Sequence, residues 1–407
     1  MTDVAFDPTS REFAQNPYAT YAQLRESDKP VYFEAMGAWL VPHYDEVDRL
    51  ARHPDMVRSI EGIVSEQDRL KQQRARNWHD MPNHERFVQF SLLETDGEVH
   101  RRLRMTVLRD FSRGLIEQHR SMIEMHVDHL LDELLARREV DFVNDFAARV
   151  PGHVIGQVLG LPAGDGPQLR AWSEQIVQFF DADRTEADKQ LAERATTEFY
   201  DYLNEQVEFR RTRPQDDLLS TLVRAQQAGQ MNETELISTA MLILAGGHGS
   251  TIDVLGTGLL GLLKFPEQMA KLRQSPALIH AAIQEMFRYD SPLPFFHRFA
   301  RQDVEVLGRA FPAGTKFGLL YGSANRDPVQ FPDPDCFEIE RDPNRHLAFG
   351  RGAHLCLGNN LARLDMEIVF LTLLRRTRSI ELLENEPRYR LGLASRGLES
   401  LGVSLRA

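Results

Sequence analysis

Two cysteines stand in this 407-residue chain, Cys336 and Cys356, and only the second has surroundings that prepare a thiolate. It lies in the run Phe349-Gly350-Arg351-Gly352-Ala353-His354-Leu355-Cys356-Leu357-Gly358, a glycine-rich loop that leads into a helical pattern from Leu361 to Arg375. A helix N-terminus carries partial positive charge and free amide donors, which lower a thiol pKa and stabilise its anion as a metal ligand. Gly352 and Gly358 would remove side chains where a flat cofactor approaches the backbone. A loop of this kind taken alone is a helix entry with a buried structural cysteine, and the full ten-residue pattern moves the reading towards a ligand. Cys336 reads as a small buried or partly exposed residue. Two cysteines are too few for a disulfide scaffold or a four-thiolate metal site.

Three further spacings could do chemistry. Glu285 and Arg288 are three apart on a helical pattern and so face the same side, as surface ion pairs do. His100 and Arg104, four apart, share a helical face in the same way. The run Ala245-Gly246-Gly247-His248-Gly249-Ser250-Thr251 puts three glycines inside a helix at a cost of about 1 kcal/mol each relative to alanine. Such a run marks a close helix crossing, a flat group packed there, or an opened helix. The Ser250 and Thr251 hydroxyls can bond back to carbonyls one turn earlier and bend it.

The elements that must position these residues are mostly helical. Asn232 followed by Glu235 reads as a cap with its reciprocal partner, opening a central helix over about 233–263. Helical spacing also covers Pro17 to Glu26, Val99 to Phe111, Ser121 to Arg138, Glu186 to Arg211 and Ala277 to Tyr289. Pieces rich in β-formers lie at Pro30 to Val41 and Val304 to Leu320, the latter punctuated as hairpins are by Gly308 and Pro312-Ala313-Gly314. Asp327 to Phe349, with four prolines and little periodicity, is expected to be an ordered meander. One large, mainly α domain with small β-sheets over residues 1–407 is the simplest organisation. With 48 basic and 60 acidic residues the net charge is −12, which argues against nucleic acid or an anionic membrane as partner. The N-terminus lacks the basic and apolar regions of a signal peptide, and the apolar stretch from Ile237 to Leu263 is broken by His248, Asp253 and six glycines, so a soluble, cytoplasmic protein is expected; separately, the chain is expected to be a monomer.

With Phe349, Gly352, Cys356 and Gly358 at the positions of its axial-ligand signature, the chain resembles the cytochrome P450 superfamily, and it does so over nearly its full length. The resemblance implies a cytochrome P450 fold and haem b, with Cys356 as proximal ligand of the iron and its electron donation favouring O–O cleavage. It implies that Glu285 and Arg288, with Arg341 as third partner, lock the meander behind the haem. It also makes His100, Arg104, Arg298 and His354 donors to the two haem propionates, which want charged donors. Gly246, Ser250 and Thr251 then belong to the oxygen-binding groove of the distal helix. Family topology places substrate near Phe90, Phe179, Phe180, Leu244, Leu293, Phe295 and Phe296, with the turn near Ser395 to Leu398. These suggest a small hydrophobic substrate, for which a planar shape is one option, although each residue taken alone reads more readily as core than as contact. Arg101, Arg102, Arg109 and Arg113 form a basic patch on an acidic protein, either a solvated face or the site where an acidic ferredoxin, served by its reductase, delivers electrons.

One departure stands out. Many bacterial members carry an acid followed by threonine where this chain has Gly249 and Ser250, and that acid helps deliver protons to bound dioxygen. Serine can still hold a water. His248 matches a position commonly held by histidine, and Asp253 lies one turn further on. Three functions follow: a monooxygenase that inserts oxygen into a C–H bond, which on an aryl methyl ether ends in O-demethylation; a peroxide-driven or radical-coupling enzyme of the same fold; and a non-catalytic haem-thiolate sensor or carrier.

Overall fold

The capping pair expected at Asn232 and Glu235 opens the longest helix among the described residues. In the computed structural model, which describes residues 4–27, 30–75, 77–180 and 185–407, each of the two side chains accepts the other residue's backbone N–H at 2.9 Å. The helix that follows, Glu233–Lys264, runs 32 residues without a break, so its glycines do not open it. Four of the six are sites of close approach: a Cβ on Gly247, Gly256, Gly258 or Gly261 would stand 3.0 or 3.1 Å from Ile155, Val143, Met286 and Phe337 respectively. Gly246 and Gly249 differ, because a Cβ there would meet nothing within 4 Å.

Around this central helix the other helices build one large apolar core. They include Gly97–Leu108, Arg120–Arg137, Val150–Leu159, Glu186–Thr212, Ile279–Tyr289 and Asn359–Arg376. Pro17–Glu26 begins as expected, with Asn16 as cap and proline in the first turn, where its missing N–H costs nothing. Gly97–Leu108 stops three residues short of Phe111, in a turn over 109–112. Ile279–Tyr289 starts two residues late because Pro276–Leu278 forms a tighter 3-10 turn. No helix of the described residues is long and apolar enough to cross a membrane.

Strand is the minor component. Five short strands form one sheet in the order Val31–Phe33, Ala38–Val41, Lys316–Leu319, Phe296–Ala300 and Met56–Val57, antiparallel except between Ala38–Val41 and Lys316–Leu319. The hairpin expected after Val304 pairs Val304–Val306 with Arg309–Phe311. Its turn residues Leu307 and Gly308 both have positive φ, the mirror-image turn that suits strand twist. Glu139–Asp141, Gly402–Arg406 and Ser379–Leu382 make a third sheet with no clear signal in the sequence.

The meander carries neither helix nor strand from 327 to 349, and a buried ion pair holds it. Glu285 and Arg288 are both fully buried, contrary to a surface pair. All five guanidinium N–H donors of Arg288 are used: two on Glu285 at 2.7 and 2.8 Å, and three on the carbonyls of Asn325, Pro334 and Cys336 at 2.8–3.0 Å. Glu285 in turn accepts from Glu338 N–H, Asn344 and, at 3.4 Å, Arg341. Cys336 takes part through its carbonyl, and the residue itself is exposed.

Candidate functional site

The cysteine loop closes on itself through its backbone. Cys356 N–H donates to Phe349 O at 2.9 Å, Gly350 N–H to Leu347 O at 2.8 Å, and Leu355 N–H to Gly352 O at 3.1 Å. Asn359, in the first turn of Asn359–Arg376, donates to Cys356 O at 2.7 Å. Phe349 anchors the far end, its ring 4.4 Å from that of Phe287 and 4.3 Å from the Arg363 guanidinium. The thiol is half-buried. Burial pushes it above the ordinary cysteine value, against the Gly358 N–H and the charges of Arg104 and Arg363, which pull it down. The expected pull of the helix N-terminus is present in the Gly358 N–H, and in the polypeptide alone burial opposes it. Gly352 also changes its meaning. Its φ is +71°, and a Cβ would fall 2.6 Å from Ala51 O, so it serves a left-handed turn packed against the helix Tyr44–Arg52. Gly358 has open space beside it, as a cofactor-facing position requires.

The four residues with donor groups gather around this loop from three different elements. His100 and His354 lie ring to ring at 4.2 Å. His100 has Leu92 O and Ala353 O at 3.0 and 3.1 Å on its two nitrogens, and burial lowers its pKa, so the neutral ring donates to one carbonyl at a time. Burial takes His354 down to about 4, against its contact with Asp96 at 3.1 Å. Arg104 donates to Leu355 O. Arg298 is buried, and among the described residues its Nε has no partner. A thiol on a closed loop, two imidazoles, two guanidiniums and one orphaned buried N–H suit a metal macrocycle bearing carboxylates. The residues therefore fit haem.

The central helix presents a stripe of small groups. Gly246, Gly249 and Ser250 keep accessible surface in the middle of an otherwise buried helix. Ser250 Oγ donates back to Gly246 O at 3.3 Å, one turn earlier, as expected of its hydroxyl. Thr251 is buried. His248 faces the other way, against Gly152, where a Cβ would lie 2.9 Å from its ring. Burial pushes its pKa down to about 4, so it is a neutral packing residue.

The residues read as substrate contacts divide. Phe90, Phe180, Leu293 and Phe296 are half-buried. Three others are core, and correct the expectation. Phe295 packs with Phe13, Tyr21, Leu24, Met36 and Leu40, because consecutive extended residues point to opposite sides and Phe296 takes the other one. Phe179 is enclosed with Met81 and Ala192, its ring 5.4 Å from Trp78. Leu244 is 1% exposed within the main core.

The sequence reading missed a buried charge cluster beside the histidines. Arg58 pairs with Glu94 and donates to His297 O at 2.7 Å, while its own N–H and that of Ser59 reach Asp96 at 2.8 and 3.0 Å. Burial alone would raise Glu94, but the Arg58 charge takes it down to about 2. His297, lowered to about 3 by burial and Arg58, is neutral near pH 7, which leaves Arg58 as the counter-charge. Of the basic patch, Arg101, Arg109 and Arg113 are exposed, whereas Arg102 forks onto Glu235 at 2.7 and 3.0 Å.

The geometry has relatives. The family model described as Cytochrome P450 matches residues 64–390. The chain is 34% identical to the polyketide biosynthesis cytochrome P450 PksS of Bacillus subtilis (strain 168), and 34% identical to the 6-deoxyerythronolide B hydroxylase of Saccharopolyspora erythraea, each over 100% of both chains. The crystal structure of P450BioI in complex with hexadec-9Z-enoic acid ligated acyl carrier protein is similar with a TM-score of 0.90 at 32% identity, covering 97% of this chain and 99% of that one.

Proposed function

We propose that this chain, which belongs to the cytochrome P450 family and is therefore a haem-thiolate monooxygenase, inserts one oxygen atom from dioxygen into a C–H bond of a hydrophobic substrate with electrons from a ferredoxin. The observation that carries this reading is the cysteine loop, closed by the Cys356–Phe349 backbone bond and ringed by donors that end in Arg298 Nε, which has no partner among the described residues. Cys356 is the thiolate ligand. Arg298, Arg104, His100 and His354 are the groups we assign to the propionates. When bound, the haem supplies activation of dioxygen, and the cysteine sulfur favours O–O cleavage. The balance is one C–H bond, one dioxygen, two electrons and two protons giving one alcohol and one water.

The chain's own residues bind, orient and deliver protons. Phe90, Phe180, Leu293 and Phe296 line the substrate side and exclude water, and Ser250, with Thr251 behind it, holds the water through which protons reach the site. Apolar lining favours a hydrophobic molecule, and on an aryl methyl ether the same insertion ends in O-demethylation. The relatives' names widen the range to polyketide and acyl-chain substrates. Arg101, Arg109 and Arg113 offer an exposed basic face to an acidic ferredoxin.

A second reading, turnover with peroxide, is favoured by one observation, the glycine at 249 in place of an acid. The deciding experiment assays haem-loaded protein on aromatic, terpenoid, macrolide and fatty-acyl substrates, with ferredoxin, reductase and dioxygen in one arm and hydrogen peroxide alone in the other. Product in the first arm is the expected result. Product only with peroxide overturns the leading reading. Cys356→Ala removes the thiolate-type spectrum of the carbon-monoxide complex, and an unchanged spectrum would sink the ligand assignment.

A further inference from the structure

The carboxylate missing at position 249 has a counterpart one turn along the same helix. Gly246, Ser250, Asp253 and Thr257 follow one another at spacings of four, three and four, with Gly249 beside Ser250, so they form a single stripe. Its first part borders open space, since a Cβ on Gly246 or Gly249 meets nothing within 4 Å. Asp253 lies just beyond that space with a side chain only 2% exposed. Its Oδ1 accepts from Arg390, while its Oδ2 has no hydrogen-bond partner among the described residues, and neither does Thr257 Oγ1 next on the stripe.

A buried carboxylate kept for structure looks different. Glu285 has both oxygens answered, whereas an orphaned buried oxygen costs free energy that a purely structural role does not repay. Arg390 connects the pair outward, because its side chain is 41% exposed. The C-terminal turn clamps the two together. Arg390 N–H donates to Gly397 O at 2.9 Å, and a Cβ on Gly397 would fall 2.0 Å from Asp253 Oδ1 and 2.6 Å from Arg390 Nη2.

We propose that Asp253 is the acid of this chain's proton delivery, a positioning residue that acts through water on the Ser250 hydroxyl and is reprotonated from solvent along Arg390. The inference rests on the monooxygenase reading above. In each transfer Asp253 Oδ2 gives its proton through water to Ser250 Oγ, Ser250 passes its own proton on, and solvent returns one to Asp253. No electrons move in the relay. The local charges suit the task. Burial raises Asp253 to about 6 against the opposing Arg390, with Asp290 and Glu174 pushing the same way, and His248 on the same helix is neutral. Both protonation states are then populated near neutral pH, as an acid that must reload requires.

The test compares the haem-loaded wild type with Asp253→Asn, Asp253→Glu and Arg390→Gln. The first readout needs no turnover. An aspartate whose folded pKa lies above its unfolded value favours folding only while protonated, so wild type should lose stability relative to Asp253→Asn as pH rises. Between pH 5 and 7.5 the ratio of their unfolding constants in urea should change by about tenfold. The second is product per reducing equivalent with ferredoxin, reductase and dioxygen. Asp253→Asn should lower it about tenfold and erase a pH inflection near 6 while keeping the thiolate spectrum; Asp253→Glu should restore both, and Arg390→Gln should move the inflection upward. Unchanged coupling and an unchanged inflection in both Asp253→Asn and Arg390→Gln would overturn the proposal. A wild type that forms product only with peroxide overturns the monooxygenase reading itself, and this shows before any variant is made.

Discussion

Behind the cysteine loop, Glu285 and Arg288 have every donor and acceptor answered, whereas on the central helix Asp253 and Thr257 keep buried oxygens without partners among the described residues. On the proposed function the two regions flank one site, and the difference gives them different work. An ion pair whose five guanidinium donors are all engaged holds one geometry, because any movement exposes an uncompensated charge. A stripe of glycine, serine and half-answered acid leaves room for a ligand and for water to rearrange. On the proposed function, rigidity sits behind the thiolate and adaptability where substrate and protons would arrive.

The largest effect should come from breaking the rigid side. Glu285→Ala leaves Arg288 and Arg341 facing each other without their shared anion, and removing one member of a buried pair costs about 3–5 kcal/mol. The urea midpoint of the haem-loaded protein should fall accordingly, with loss of haem as the meander loosens. A fall of less than about 1 kcal/mol would mean that the meander is held by something else. Arg58 and Glu94 extend the comparison to a second answered pair. The Glu94 carboxyl is lowered to about 2 from 4.5, so its stabilisation is present above pH 4.5 and is lost as pH falls towards 2. The shift corresponds to about 3 kcal/mol near pH 7, and the stability gap between wild type and Glu94→Gln should shrink by about half by pH 3.

These two pairs also show what could be read from the chain and what could not. Glu285 and Arg288 are three residues apart, so helical spacing made them visible, and the Cys356 loop was visible for the same reason: its chemistry is written in ten consecutive residues. The capping pair at Asn232 and Glu235 is equally local. Arg58 and Glu94 are 36 residues apart and Asp253 and Arg390 are 137 apart; no periodicity joins them, because only the packed fold brings the two strands of chain together. Side-chain direction was the other hidden quantity. Phe295 and Phe296 are neighbours of the same type, yet one fills the N-terminal core and the other keeps surface near Arg58. Gly352 and Gly358 shared one reading as cofactor glycines until the backbone separated them, one by its left-handed φ and the carbonyl of Ala51, the other by open space.

That separation gives the next prediction. Gly352→Ala must give up a left-handed turn and push against Ala51 O, which should destabilise the polypeptide by about 1–3 kcal/mol. Gly358→Ala meets nothing in the polypeptide, so its effect should show in haem retention, measured by spectral titration, with little change in the urea midpoint of the haem-free chain. Equal losses of stability in both variants would erase the distinction between a packing glycine and a cofactor glycine.

The smallest effect tests the central helix against itself. In a helix interior alanine is better than glycine by about 0.5–1 kcal/mol because less backbone entropy is lost, provided the added methyl finds room. At Gly249 it does, and Gly249→Ala should raise the urea midpoint of the haem-free chain by that amount. At Gly261 the Cβ would lie 3.1 Å from the Phe337 ring, which is itself held against Phe265 and Tyr289 at 5.8 and 5.3 Å and has little freedom to withdraw. Gly261→Ala should therefore lower stability. Opposite signs at two glycines of one helix, three turns apart, would locate the boundary between the part packed for rigidity and the part kept open, and equal signs would show that the openness beside Gly249 has no consequence for the fold.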